Sequence, residues 1–294
     1  MCENDIVGFF IFFFMDKEER TEEGIYPDHT RITVRGGPND AHHFDSIELI
    51  PNDAIEFISK TDKNVSLFFG DSLCSNSSIV ADVVSSAAGK LITLFFGSRS
   101  QEERPEFEAI LCSLIKLSDG FCKTLKEFYA RGPIKQAQTF TSLFSMLTRC
   151  PALELVHIYD TITWKTELTS MTECAAEMVT ACTKLRGLEI NWGGVSDECM
   201  LKVAAAIGKH PALDRVSIYY VRFNTAEYAK ELAALIAVSK SLKYASIWNN
   251  AYEDEESAID VFVLELAKLN KQVIIDYMGV FRDPQKRFER TKYF

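Results

Sequence analysis

Two stretches of this chain, Pro151 to Tyr159 and Pro211 to Tyr219, both read Pro-Ala-Leu-x-x-Val-x-Ile-Tyr, and a degenerate copy, Leu185-Arg-Gly-Leu-Glu-Ile190, lies between them. Recurrence at a near-constant interval marks a stack of small supersecondary units rather than one globular core. The pattern L-x-x-L-x-L extends in both directions. It runs through Asn64-x-x-Leu67-x-Phe69, Leu91-x-x-Leu94-x-Phe96, Leu125-x-x-Phe128-x-Ala130 and Leu153-x-x-Val156-x-Ile158. It continues through Leu185-x-x-Leu188-x-Ile190, Leu213-x-x-Val216-x-Ile218, Leu242-x-x-Ala245-x-Ile247 and Gln272-x-x-Ile275-x-Tyr277. The first and last copies are degenerate at their opening position, as terminal repeats facing solvent on one side usually are.

Between these strand-like motifs the apolar residues change period. Met200, Val203, Ala204 and Ile207 fall at i, i+3, i+4 and i+7, one stripe of a helix. The spacing predicts a helix within Ser196 to His210, another within Asn224 to Lys240 on Tyr228, Leu232, Leu235 and Ile236, and a third within Glu255 to Asn270 on Ile259, Phe262, Val263 and Leu266. Ser196 and Asn224 read as N-caps, the latter with Glu227 three residues on. Pro151 and Pro211 stop the preceding helices and deliver the chain to the next strand. One such unit buries three or four large apolar side chains at about 1.5–3 kcal/mol each. Ordering roughly 28 residues costs about 1–2 kcal/mol per residue in backbone entropy alone, so each unit depends on its neighbours.

This strand-helix alternation resembles the leucine-rich repeats of the ribonuclease-inhibitor-like class. The resemblance covers about Asn64 to Met278 and is sharpest at Leu185 to Ala212 and Leu213 to Ser241. It implies an α/β solenoid, with a curved parallel β-sheet on the concave side and helices on the convex side. The class usually carries an Asn or Cys ladder just after the strand; Asn191 and Asn249 are the candidates for it here, and most copies carry other residues. Relatives of the class act as enzyme inhibitors, activators of a small GTPase or substrate receptors of ubiquitin ligases, all by binding protein. Three segments are expected: a β-rich N-terminal cap over residues 1–63, a solenoid of about eight strand-helix units over 64–278, and a polar tail over 279–294. Within the cap, strands are predicted at Arg31 to Val34 and Ile47 to Ile50, followed by a short helix.

Bulk properties exclude several function classes. A net charge of -10 over 294 residues argues against nucleic acid or an anionic membrane as the main partner, since both are held chiefly by clustered Lys and Arg. The only basic run, Phe281 to Phe294, is broken by Asp283 and Glu289. Eight cysteines without a C-x-x-C pair match neither a zinc nor a thioredoxin pattern. They read as free core thiols in a reducing compartment. The apolar run Ile6 to Met15 is shorter than the about 20 residues a bilayer span needs and is preceded by Glu3 and Asp5, so it reads as a buried strand. A cytoplasmic location follows as the expectation, with the nucleus left open.

The one enzymatic lead is Gly70-Asp71-Ser72-Leu73, similar to the nucleophile block of the GDSL esterases. That family implies Ser72 as nucleophile and an Asp-x-x-His block supplying its base. No His follows His210, and Gly37-Pro38-Asn39-Asp40, similar to the family's Asn block, precedes the Ser. The next unit reads Leu94-Phe95-Phe96-Gly97-Ser98, so Leu-Phe-Phe-Gly is a shared strand-and-turn feature, and catalysis is not expected. Asp40-Ala41-His42-His43-Phe44-Asp45 reads as a solvated loop rather than a metal site. Glu253 to Glu256 reads as a helix-start cluster that complements the helix dipole. No metal or cofactor is expected, and no phosphate-binding loop or dinucleotide fingerprint occurs.

The residues between the core positions of each strand carry the functional expectation, because alternate strand residues face opposite ways. They form one row, Phe68, Phe95, Tyr129, His157, Glu189, Ser217, Ser246 and Asp276. A second row holds Gly70, Gly97, Arg131, Tyr159, Asn191, Tyr219, Trp248 and Met278, with Trp192 and Tyr220 immediately after it. Aromatic residues and Arg are enriched at interface hot spots. The expected protein-binding residues are therefore Tyr129, Arg131, His157, Tyr159, Glu189, Asn191, Trp192, Tyr219, Tyr220 and Trp248. The expected function is a non-catalytic interaction module, scaffold or regulatory subunit.

Overall fold

The computed structural model describes residues 29–34, 46–69, 77–97, 106–159 apart from 133 and 135, 169–191, 197–249 apart from 220 and 222, and 256–279. The Phe-rich run, the His-rich loop, the Gly70 to Leu73 motif, Trp192, Tyr220 and the basic tail lie outside them.

All eight strand motifs form strands: β3 (Asn64–Phe69), β4 (Leu91–Gly97), β5 (Glu127–Arg131), β6 (Leu155–Tyr159), β7 (Gly187–Asn191), β8 (Arg215–Tyr219), β9 (Tyr244–Asn249) and β10 (Ile274–Gly279). β3 and β4 begin at the opening residue of their motifs, whereas β5 to β10 begin two residues after it, with the opening Leu buried at the entry turn at Leu125, Leu153, Leu185 and Leu213. Two further strands, β1 (His29–Val34) and β2 (Ile47–Leu49), precede helix α1 (Pro51–Lys60). They are not a separate layer: β1 pairs in parallel with both β3 and β2, giving one ten-stranded sheet in the order β10-β9-β8-β7-β6-β5-β4-β3-β1-β2.

The other described helices are α2 (Ser77–Ser86), α3 (Glu106–Leu117), α4 (Ala137–Thr148), α5 (Thr169–Ala181), α6 (Asp197–Lys209), α7 (Ala226–Ala237) and α8 (Glu256–Leu269). Each spans the gap between successive parallel strands, and consecutive helices pack against one another. Two of the three predicted stripes are fully buried, and in the third, on α7, Tyr228, Leu232 and Ile236 are buried while Leu235 is only partly so. Met200, Val203, Ala204 and Ile207 of α6 face the core, as do Ile259, Phe262, Val263 and Leu266 of α8. Asn224 is not the cap of α7. Thr225 takes that position, its side chain accepting the Tyr228 amide at 3.1 Å, while Asn224 Nδ2 donates to Asp197 Oδ1 at 2.7 Å. The chain thus starts α7 one residue later and uses Asn224 to tie it to α6.

Strand pairs repeat one local device. The carbonyl of Lys126 accepts the amides of Glu154 and Leu155, that of Glu154 accepts Arg186 and Gly187, that of Arg186 accepts Asp214 and Arg215, and that of Asp214 accepts Lys243 and Tyr244. This keeps successive strands in register, so equivalent residues line up across the sheet. Helices packed side by side need about 8–10 Å each, whereas strands need about 4.8 Å. The sheet therefore lines the inner, concave side of the stack.

A second column runs along the helix-to-strand turns of the last six motifs, three residues before Leu125, Leu153, Leu185, Leu213, Leu242 and Val273: Cys122, Cys150, Cys182, His210, Ser239 and Asn270. Their side chains satisfy turn backbone. Cys122 and Cys150 Sγ donate to the Met146 carbonyl, and Cys182 Sγ donates to that of Leu147 at 3.3 Å. His210 Nδ1 accepts the amides of Ala212 and Leu213, and Ser239 Oγ accepts that of Leu242. Asn270 Nδ2 donates to the carbonyls of Ala237 and Ser239. The ladder expected after the strands thus has a counterpart at the other end of each unit.

Candidate functional site

In β5 the alternation is clean. Phe128 and Ala130 are buried in the helix-side core, and Glu127, Tyr129 and Arg131 look the other way and are partly exposed. From β3 to β9 the core-facing residues keep the same parity, and strand register assembles the outward residues into rows.

The central row is the expected one. Phe68 pairs with Phe95, Phe95 with Tyr129, Tyr129 with His157, His157 with Glu189, Glu189 with Ser217, Ser217 with Ser246 and Ser246 with Asp276. Its first four members form a continuous file of half-buried rings. Centroids lie 6.0 Å apart for Phe68 and Phe95, 5.7 Å for Phe95 and Tyr129, and 5.8 Å for Tyr129 and His157, with interplanar angles of 36°, 43° and 33°. In-register strands place like residues near 5 Å apart, and only tilted or offset rings fit that spacing with favourable quadrupoles.

Chemistry changes along the row. His157 Nδ1 lies 2.5 Å from Glu189 Oε2. Beyond this pair the floor becomes hydroxylic. Ser217 and Ser246 are 2% and 0% exposed, and neither Oγ has a hydrogen-bond partner among the described residues. Glu189 itself is 8% exposed, so the polar end of the row sits deeper than its aromatic end.

A lower row, two residues earlier in each strand, was not singled out from the sequence. Arg31, Ser66, Thr93, Glu127, Leu155, Gly187, Arg215, Tyr244 and Ile274 are neighbours in register. Their types share nothing, and only the parity rule carried two residues back along each strand would have found them. Glu127 is the notable member. Thr93 Oγ1 donates to its Oε2 at 3.1 Å, yet burial dominates and holds its carboxyl above the usual carboxylate range. Arg215 lies beside Asp214, whose Oδ2 also accepts from Arg186 at 2.9 Å.

In the upper row, Gly97 pairs with Arg131 and Arg131 with Tyr159, while Asn191, Tyr219, Trp248 and Met278 follow in register. Gly97 has a packing reason: a Cβ there would lie 2.7 Å from that of Arg131. Eight of the ten expected binding residues thus hold register positions on this face, Tyr129, Arg131, His157 and Glu189 with their side chains described. The other two, Trp192 and Tyr220, lie outside the described residues. No group of three or more metal-type ligands occurs among the described residues, and no helix among them is long and apolar enough to cross a membrane.

Strand order, register and the strand-helix alternation define an α/β solenoid of stacked strand-helix repeats. No family model matches the sequence, and no curated protein does. Among solved structures, the chain is similar to the leucine-rich repeat-containing protein LegL7 from Legionella pneumophila, at 9% identity and a TM-score of 0.42, over 81% of this chain and 71% of that one.

Proposed function

We propose that this chain is a non-catalytic recognition module that binds a protein partner across the concave face of its sheet. The observation that supports this most is the file of rings from Phe68 through Phe95 and Tyr129 to His157, which stays half-buried on a face that no described helix covers. Large rings carry much contact area with few rotatable bonds, so they lose little entropy on binding. A scaffold or regulatory subunit uses such a surface without chemistry of its own.

Affinity capture with the wild type and with a Phe95→Ala, Tyr129→Ala double variant tests the reading. Partners retained by the wild type and lost by the variant are expected, with circular dichroism and thermal melting showing that the variant is folded. The same partners at the same yield would remove this face as the site. The esterase alternative has its own test: hydrolysis of short acyl esters that vanishes in Ser72→Ala would overturn the non-catalytic reading, and none is expected.

A further inference from the structure

Resting on the concave-face reading, we propose that the Glu189 end of the central row is the seat of an arginine side chain supplied by the partner. Three observations converge there. Glu189 is a carboxylate held nine-tenths buried, with the His157 ring on its Oε2 at 2.5 Å. His157 meets only one of the two carboxylate oxygens, so this nine-tenths buried carboxylate keeps acceptor capacity for a second, charge-assisted donor.

The nearby guanidinium groups are engaged elsewhere. Arg186 donates to Asp214, and Arg215 lies 3.7 Å from the same carboxylate. Next to Glu189 in register stand Ser217 and then Ser246, whose hydroxyl oxygens are buried without a partner among the described residues. Both lie on the same face as Glu189, since Val216, Ile218, Ala245 and Ile247 fill the opposite one. An unpaired buried hydroxyl offers open acceptor sites to an entering donor.

A guanidinium matches this set better than an ammonium. It is planar, always charged and carries five donors in a fixed fork. One edge reaches Glu189 and the adjacent Ser217 Oγ, about one strand spacing of 4.8 Å away. Ser246 then accepts a further donor from the same partner segment. On the other side the Tyr129 and His157 rings, 5.8 Å apart, offer a face on which a guanidinium stacks. Reaching the two hydroxyls requires flanking side chains to turn aside, so seating the arginine is coupled to a local rearrangement of the rim.

The test uses a random peptide library displayed on phage, selected on the full chain and competed with a Tyr129→Ala variant to define the face. Selected peptides are expected to carry Arg at one position well above its frequency in the library. Replacing that Arg by Ala should weaken binding by about tenfold or more for the wild type, and by much less for Glu189→Gln. Ser217→Val gives the same cycle if Glu189→Gln proves unfolded. Peptides sensitive to Tyr129→Ala but without Arg enrichment, or an equal Arg→Ala loss in wild type and Glu189→Gln, would sink the arginine seat and leave the concave-face reading standing. Peptides indifferent to Tyr129→Ala, or no selected peptide at all, would count against both.

Discussion

His210 Nε2 donates to the carbonyl oxygen of Cys182 at 3.0 Å, while Nδ1 of the same ring accepts the amides of Ala212 at 3.1 Å and Leu213 at 2.9 Å. The ring thereby joins two consecutive repeats through one neutral tautomer. Protonating Nδ1 would turn an acceptor facing two N–H groups into a third donor.

This geometry gives a pH dependence with a definite sign. Burial lowers the His210 pKa below its ordinary value of 6.5, so in acid the unfolded chain takes up the proton more readily. The stability contributed by the neutral ring is full above the unfolded pKa and is lost as pH falls through it towards the folded value. Urea unfolding from about pH 7.5 to pH 5 should show a decline in the wild type that is smaller in His210→Gln. The variant should also be less stable at pH 7.5, by about 1–3 kcal/mol for the unpaired turn groups. Identical pH slopes in the two proteins would contradict the assignment.

Two cysteines of the same column, Cys150 and Cys182, should be chemically quiet. Cys182 is buried, donates to Leu147 O and has its thiol pushed up to about 12. Cys150 is fully buried and is also shifted upward, by its contact with Cys122 and then by burial. Thiolate is the reactive form, so iodoacetamide applied to the native protein should label the half-buried Cys112 and Cys174 well before Cys150 and Cys182. Mass spectrometry of the digested protein reads this directly. Labelling of Cys182 at the rate of Cys174 would show that the turn opens.

The strands were legible because their signal is redundant: in each motif the apolar positions that fill the core are the ones that repeat, so Leu188 and Ile190 or Val216 and Ile218 announce themselves. The central row followed from parity alone. The turn column was not legible by residue type, since Cys, His, Ser and Asn solve the same backbone problem with different atoms. Its only sequence trace is a constant offset of three residues before Leu125, Leu153, Leu185, Leu213, Leu242 and Val273. Glu127 was missed for a related reason. It sits just before the second apolar position of its motif, and a carboxylate there gives no hint of how far its neighbours desolvate it.

Gly208, inside α6, packs directly against the backbone of α7. A Cβ at this position would lie 2.0 Å from the Leu235 carbonyl oxygen and 2.8 Å from a methyl of Val238. Ala favours a helix interior over Gly by about 1 kcal/mol, so helix propensity alone would make Gly208→Ala stabilising. Backbone cannot yield as a flexible side chain does, and overpacking costs about 1–3 kcal/mol. Packing should therefore win, and Gly208→Ala is expected to lower the urea midpoint. An unchanged or raised midpoint would mean that α6 and α7 separate without penalty.

Glu127 supplies a test of whether the concave face trades stability for recognition. Burial raises its carboxyl pKa against the opposing hydrogen bond from Thr93, so as pH rises past the ordinary value of 4.5 the unfolded chain releases its proton first. The folded form then binds more protons than the unfolded one, and stability falls with rising pH across that window. Gln keeps an acceptor for Thr93 Oγ1 and cannot ionise. Glu127→Gln should therefore match the wild type near pH 4 and exceed it in urea midpoint near pH 7. Beside Tyr129, a carboxylate that costs stability at neutral pH is the kind of residue a binding surface keeps, so the same variant should capture partners less well than the wild type. A variant less stable than the wild type at both pH values would instead make the ionised Glu127 a structural ion-pair member, its partner the Arg31 whose charge opposes the shift.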